Sequence, residues 1–475
     1  MSKLMSVLTA CALMASCTLG PDYGRPVIEA PAAHRGAARA VAESLADLKW
    51  FELFRDDTLN TLVADALRQN FEVRIAAERV LQARALAGIT RADQFPSVGA
   101  SAELTAARAS QRGANQTIPP GADTDVSYAQ AGFSIGWELD VWGRLRRLSE
   151  AARAQYLATE EARRGVVTTL IADVSETYLA VRALDLELDI ARRTRDIATE
   201  GLRLTDTRRA RGVASGLDVR QAEQLLFTAT GQIASLERQI AQVENALSLL
   251  LGRVPGDIPR GRPLDALQQP PAVPAGLPSA LLERRPDIRQ AEQELIAANA
   301  GIGAARAEYF PRISLTGFLG AQSRALSDLL AGSARVASAT AGATAPVFSA
   351  GKTRGNVRFA EAVQREARVN YERVIYTAFR DVADALAAHR RTGEQRAQQE
   401  HLVEALREST RLATERYQGG LDSYLPVLDA QRNLFQGELE LARLRQRELG
   451  SIVQLYRALG GGWSEDLRPR QPGQP

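Results

Sequence analysis

Few side chains in this sequence have the types and spacing that bond-making chemistry needs. The three histidines, His34, His389 and His401, build no metal or acid–base pair. His389 and His401 stand twelve residues apart. At ~100° per helical residue they fall on different faces, and both read as solvated helix positions. No nucleophile is spaced to pair with a histidine, and no cluster has zinc-ligand spacing. Gly351-Lys352-Thr353 has the ending of a phosphate-binding loop, but the glycine required five residues earlier is replaced by Pro346. It reads instead as a turn at a strand-to-helix junction, as does Gly143-Arg144. No catalytic residue, metal or cofactor is expected, and an enzyme is the least supported reading. With 59 basic against 56 acidic side chains and a net charge of +3, the chain also lacks a nucleic-acid footprint.

Cys17 is the exception, and its chemistry is acylation. Both cysteines (Cys11, Cys17) and all three methionines (Met1, Met5, Met14) lie in the first 17 positions. Met1-Ser-Lys3 is a short positive start. Leu4 to Ala15 is a mostly apolar run, too short for a bilayer and ending in small residues. Residues 1–16 therefore read as a secretory signal peptide. Leu13-Met-Ala-Ser-Cys17 resembles a bacterial lipobox, which makes Cys17 the lipidated, palmitate-bearing first residue of the mature chain. Leu8-Thr-Ala-Cys11 has the better local pattern but leaves only Leu4 to Ala10 as hydrophobic core. Cleavage before Cys17 leaves one cysteine and no methionine, so neither an intrachain disulfide nor a soft-metal site follows. Thr18, rather than an aspartate, comes after the cysteine, which favours the outer membrane. No later stretch is apolar for the ~20 residues a membrane helix needs.

The elements that position everything else come in two copies. Gly212-Val-Ala-Ser-Gly-Leu-Asp-Val219 reads against Gly420-Leu-Asp-Ser-Tyr-Leu-Pro-Val427, 208 residues on. The same offset aligns Gly143 with Gly351, Asp173 with Asp381, Arg208 with Arg416 and Leu251-Gly252 with Leu459-Gly460. One long unit repeated once indicates a pseudo-symmetric body rather than a solenoid. Arg144 to Arg211 holds no proline and carries apolar residues at three-and-four spacing, such as Leu170, Val174, Val181, Leu184 and Leu188. It predicts a helix of roughly 100 Å. Leu217–Leu251 is its partner after a turn at Arg211–Ser215, with Ser215 and Asp218 as a capping box. The second copy predicts Thr353–Tyr417, a turn at Gly419-Gly420, Ser423 as cap, and Pro426–Leu459 with Pro426 in the first helical turn. Helices this long joined by short turns call for a coiled-coil bundle.

Period-two alternation marks the segment before each unit. Ala131, Phe133, Ile135, Trp137, Leu139 and Val141 share one face against Gly132, Ser134, Gly136, Glu138 and Asp140. Ile313, Leu315, Gly317 and Leu319 alternate with Ser314, Thr316 and Phe318, and Ala337 to Val347 alternates apolar with Ser, Thr, Gly, Thr and Pro. An apolar face suits lipid, with Ile135 near mid-membrane, and a face of small polar residues suits a water-filled lumen. The two hairpins follow matched Phe95-Pro96 and Phe310-Pro311. Four strands cannot close a pore, and open edges cannot face lipid, so several chains must contribute.

At this point the residues resemble a known family, the outer-membrane factors of bacterial tripartite efflux systems, in the TolC/OprM group and its NodT-type lipoprotein branch. The resemblance rests on Cys17-Thr-Leu-Gly-Pro-Asp-Tyr23, Trp50-Phe-Glu-Leu-Phe-Arg-Asp56, Leu282-Glu-Arg-Arg-Pro-Asp-Ile288 through Phe310-Pro311, and Tyr417 to Arg432. It implies an α+β membrane protein and a homotrimer, in which a shared twelve-stranded outer-membrane β-barrel, four strands per chain, is continuous with a long periplasmic α-helical barrel. The parts are then a lipidated N-terminal and equatorial segment (17–56), first-repeat helices (57–95 and 144–252) with a β-hairpin (97–141), an equatorial linker (253–284), second-repeat helices (285–310 and 352–460) with a hairpin (312–348), and a tail (461–475). The resemblance further implies a gate at the periplasmic helix tips. Carried over by position, Asp429 and Arg432 line or brace the aperture, Leu425 is an apolar constriction, and Tyr417 and Asp218 are inter-helix hydrogen-bond partners. Pro426 stands where some members have a second acidic residue, so a double acidic ring does not follow. The implied partners are a periplasmic adaptor, an inner-membrane resistance-nodulation-division type pump and outer-membrane lipid. A type I protein-secretion duct would share this architecture, and a non-channel periplasmic scaffold is the third reading, which the alternating strands oppose.

Overall fold

The computed structural model describes residues 18–36, 43–108, 110, 124–267 and 274–462. The expected signal peptide (1–16), with Cys11, Cys17, the tip of the first β-hairpin and the tail from residue 463, lies outside the described residues.

The order of elements is α1 (Asp57–Gln69), α2 (Phe71–Ala92), β1 (Ser97–Arg108), β2 (Asp125–Leu139), α3 (Arg144–Ala210), α4 (Gly216–Leu250), α5 (Pro286–Ala307), β3 (Arg312–Ser323), β4 (Arg335–Thr344), α6 (Lys352–Gln418) and α7 (Leu425–Ala458). Helices α3 and α6 each run 67 residues, which at ~1.5 Å per residue is roughly 100 Å. Among the described residues no helix is long and apolar enough to cross a membrane.

The two long hairpins turn in the same way. At the end of α3, Gly212 N donates to Arg209 O (2.8 Å) and Val213 N to Arg208 O (2.9 Å); at the end of α6, Gly420 N donates to Tyr417 O (3.0 Å) and Leu421 N to Arg416 O (2.9 Å). This pair of bonds is a Schellman cap, whose left-handed residue needs a glycine. Gly212 and Gly420 sit at φ +81° and +75°. The helices that follow start differently. Ser215 and Asp218 form the expected reciprocal capping box on α4. On α7 the expected cap at Ser423 is not made: Tyr424 is the N-cap, without a side-chain bond. The reason is local. The capping-box bond that Ser423 would accept, from the N–H three residues further on, is unavailable because that residue is Pro426, and proline has none.

The strands form one antiparallel sheet in the order β1-β2-β3-β4. Its register places Ala100, Phe133, Leu319 and Ala337 in one row, and Val98, Ile135, Gly317 and Ala339 in another. Directly paired residues share a face, so the apolar alternation of each strand lines up across all four. The other face carries Ser97, Gly136, Thr316 and Thr340 in one row and Ser101, Gly132, Gly320 and Val336 in another. The Phe318 ring lies over the Gly132–Gly320 pair, within 2.7 Å and 2.9 Å of where a Cβ would stand on each. The alternation expected to reach Val347 ends at Thr344, just before Pro346, which cannot donate to a ladder.

The chain divides into two compact units. One (Met1–Val27, Val80–Thr159, Ala291–Tyr371) contains the sheet. Where its strands meet helices it carries an aromatic cluster. Trp142 stacks on Phe310 at 4.7 Å and its Nε1 donates to Pro311 O (2.8 Å), while Trp137 Nε1 donates to Gln94 O (3.0 Å). Phe95, Tyr309 and Phe348 are exposed there. A girdle of this kind marks the membrane–water interface of a barrel. An N-terminal strap is laid on the same unit: Leu19 N donates to Trp142 O (3.2 Å), Arg147 holds Leu19 O (3.2 Å) and Asp22 (2.7 Å), and Asn299 Nδ2 donates to Pro21 O (2.9 Å).

The other unit (Ile28–Arg79, Glu160–Gln290, Glu372–Pro475) contains the hairpin tips and the linker. Its core includes Leu188, Ile190, Ala191, Leu236, Phe435 and Leu439. Buried Asp56 caps α1 through Thr58 N (2.9 Å) and Leu59 N (3.0 Å) and also accepts from Arg262 N (3.1 Å). Within Leu282–Ile288, Arg285 is buried and donates to Asp287 (3.0 and 2.6 Å), to Asp381 (3.2 Å) and to Ala458 O (3.0 Å). It thereby pins the start of α5, the middle of α6 and the end of α7. His389 departs from the solvated position expected of it. It is half-buried, its Nδ1 lies 3.1 Å from Ser451 Oγ, and burial holds its imidazole below the ordinary value against the pull of Glu448.

Candidate gate at the hairpin tips

The tips of α3–α4 and α6–α7 pack through one apolar cluster. Ala198, Ala222, Leu225, Tyr417, Tyr424, Val427 and Leu428 are its buried members. Apolar residues at three-and-four spacing on each helix build it. Tyr417 and Tyr424 meet edge-on, with ring centroids 5.3 Å apart, a favoured aromatic geometry.

The expected gate residues fall around this cluster without forming a single network. Asp218 is committed to its own helix: its Oδ2 accepts from Ser215 N (2.7 Å) and Ser215 Oγ (2.9 Å). The Tyr417 hydroxyl is buried without a hydrogen-bond partner, so the pairing of Tyr417 with Asp218 is not made within one protomer. Asp429 accepts from Arg432 (3.2 Å) and Asn433 (3.1 Å), both on its own helix. The Asp429–Arg432 pair is exposed, and such a pair is worth ~0.2–0.5 kcal/mol to a helix. Leu425, the first residue of α7, is exposed. Cys17 lies outside the described residues.

Two residues at the tips escape sequence reasoning. Tyr424 is buried, its hydroxyl also lacks a partner, and burial beside Tyr417 pushes its pKa up to about 12. It therefore stays a proton donor at any physiological pH. Arg208 reaches from α3 across to the other hairpin, where its Nη1 donates to Tyr417 O (3.2 Å) and Gln418 O (3.4 Å). Its guanidinium carbon sits 4.7 Å from the Tyr417 ring centroid. The repeat pairs Arg208 with Arg416 and so marks the position, but the contact depends on how the two hairpins pack. A groove of about 570 Å³ runs beside the cluster, lined by Ile197, Gly201, Leu204, Tyr417, Tyr424 and Gln431 among others. Among the described residues no group of His, Cys, Asp and Glu is arranged to hold a metal.

The sequence profile of the "Outer membrane efflux protein" family matches residues 62–253 and 277–461. The chain belongs to the outer membrane efflux protein family. It is 42% identical over 464 residues to the solvent efflux pump outer membrane protein SrpC of Pseudomonas putida, covering 96% of this chain and 97% of that one. The fold matches a membrane protein from Pseudomonas aeruginosa with a TM-score of 0.86 at 38% identity, and the open-state outer membrane channel MtrE of Neisseria gonorrhoeae with a TM-score of 0.85 at 32% identity. These alignments cover 94% and 95% of this chain and all of both others. This outer membrane efflux protein is thus an outer-membrane efflux channel, whose parts are a trimeric β-barrel and a periplasmic α-helical barrel. The scaffold reading is set aside by the same findings.

Proposed function

We propose that the protein is the passive exit duct of a tripartite efflux pump for small molecules, with no catalytic step of its own. The duct closes at the periplasmic hairpin tips and docks a periplasmic adaptor there. A resistance-nodulation-division type pump in the inner membrane supplies the driving force. The observation that carries this reading is the matched pair of tips. Val213 and Leu217 on one hairpin, and Leu421 and Leu425 on the other, stand at positions related by the 208-residue offset and are 64%, 65%, 70% and 54% exposed. A trimer presents six such apolar pairs, an end surface suited to capping by a helical partner. A protein-export duct would have the same shape; SrpC's being named for a solvent efflux pump weighs toward small molecules.

In the closed duct three Asp429 carboxylates repel one another near the threefold axis, and Arg432 offsets that repulsion. Leu425 narrows the aperture, and Tyr417 and Asp218 brace neighbouring helices. The partnerless Tyr417 hydroxyl supports such a role, since a buried donor gains most from meeting an acceptor. Lipid at Cys17 is part of the same proposal. Thr18, the residue after Cys17 in sequence, lies against the φ +76° Gly143, with Cγ2 2.6 Å from where a Cβ would stand.

Single-channel conductance of purified trimers in a planar bilayer tests the gate. Replacing Asp429 and Arg432 together by alanine is expected to raise conductance with trimer stability unchanged. If conductance is the same, and Leu425→Ala also leaves it unchanged, the tips serve only as a docking surface.

A further inference from the structure

The two hairpin tips of a protomer are joined by a residue outside the proposed gate set. We infer that Arg208 is the latch that holds the α6–α7 tip against the α3–α4 tip in the closed duct. This rests on the gate reading above and adds a positioning residue to it.

Arg208 meets the end of α6 in two ways. Its Nη1 donates to the carbonyl oxygens of Tyr417 and Gln418 at 3.2 and 3.4 Å. These are among the last carbonyls of a 67-residue helix, at its negative end, and Tyr417 O accepts from Gly420 N (3.0 Å) as well. The guanidinium also covers the Tyr417 ring at 4.7 Å, a cation–π contact. Tyr417 is itself anchored in the buried cluster shared by both hairpins, so the arginine grips a fixed point.

Nothing else does this. Among the described residues, every hydrogen bond from one tip to the other comes from Arg208. The remaining polar groups serve their own hairpin: Asp218 with Ser215, Arg416 with Asp422 (2.6 and 3.3 Å), and Asp429 with Arg432 and Asn433.

The repeat explains why Arg208 reaches across while its counterpart does not. Arg416 occupies the matching position and closes on Asp422 in its own turn. The residue matching Asp422 in the first hairpin is Ala214. With no carboxylate in its own turn, Arg208 is left to the neighbouring helix end. One Asp-to-Ala difference between the two copies converts a turn brace into a latch. If the α6–α7 hairpin swings away from α3, both contacts break, three times over in a trimer.

The test uses full-length purified trimers in planar bilayers, with thermal stability of the trimer followed in parallel. Arg208→Ala is expected to raise the open-to-closed ratio at least about tenfold, as the loss of a charge-assisted hydrogen bond implies. Ala214→Asp keeps the arginine but gives it the local partner that Arg416 has, and is expected to open the duct as well. Arg416→Ala, at the matching position, is expected to conduct as wild type. Wild-type conductance in both Arg208→Ala and Ala214→Asp overturns the latch. If the Asp429→Ala, Arg432→Ala double variant opens in that same experiment, the gate stands and only the latch fails. If no variant opens, Leu425→Ala included, the gate reading itself has failed. Opening by Arg416→Ala as large as by Arg208→Ala also overturns the latch, because the effect then belongs to tip stability in general.

Discussion

Replacing Phe133 with arginine tests the orientation of the sheet and the depth of each row at once. Trp137, held by its bond to Gln94 O, marks the membrane interface within β2. At ~3.4 Å per residue along a strand tilted ~40°, Ile135 lies ~5 Å and Phe133 ~10 Å into the hydrocarbon from it. An apolar band ~25 Å tall has its midplane ~12 Å from either edge. On this spacing the row of Ala100, Phe133, Leu319 and Ala337 is expected to be the central one, with the row of Ile135 one step nearer the girdle. An arginine at the midplane costs ~2–4 kcal/mol per chain and falls to ~0–1 near the interface. Three chains bring the Phe133→Arg penalty to ~6–12 kcal/mol, comparable with the whole stability of a domain. Ile135→Arg should cost roughly half as much. Ser134→Arg, on the face that carries Gly99 and Phe318, should leave the trimer intact and lower conductance. The assay is the yield of heat-modifiable trimer from outer-membrane fractions, followed by bilayer conductance of what assembles. Trimer loss in Ser134→Arg equal to that in Phe133→Arg would show that the faces are assigned the wrong way round.

Other expected outcomes concern the ends of the chain and the equatorial packing. The mature N-terminal peptide should carry diacylglycerol and fatty-acid mass at Cys17; intact-mass measurement of an unmodified Cys17, or of processing at Cys11, refutes lipidation there. Arg285→Ala should lower the unfolding free energy by ~2–3 kcal/mol, because Asp287, Asp381 and Ala458 O each lose a bond from the buried guanidinium, with the pair discounted for the partly exposed carboxylates; an unchanged melting temperature would refute the hub. Burial raises the Glu176 carboxyl above its ordinary value, opposed by Gln454 and Arg457 and reinforced by Asp173. A carboxyl so raised adds stability below its unfolded value and loses it as pH rises through the folded one. Glu176→Gln should therefore raise the melting temperature at neutral pH and make no difference in acid; the opposite trend would refute the assignment.

How much of this was legible in the residue order can be read from particular places. The 208-residue offset foretold that both long hairpins turn alike, because a Schellman cap demands glycine at one position and the chain supplies Gly212 and Gly420. Alternation foretold the strands, and the register then aligned their faces. Ser423 was misread as a cap, although the answer lay three residues on, in Pro426. His389 was misread as solvated because one helix's periodicity does not say which helix packs against it.

The sequence by itself determined the elements and their symmetry, since helix caps, prolines and period-two or period-3.6 patterns act within a few residues of backbone. It also set the expectation that no reactive constellation forms, since the three histidines are scattered and both cysteines lie in the first 17 positions. Only the tertiary structure decided which polar groups meet. Tyr417 kept a buried and partnerless hydroxyl, and Arg208 found the end of α6. A long side chain chooses among partners that lie within a few ångströms in space and, for Arg208 and Tyr417, 209 residues apart in sequence. That choice is settled by the packing of the two hairpins, which no local pattern records.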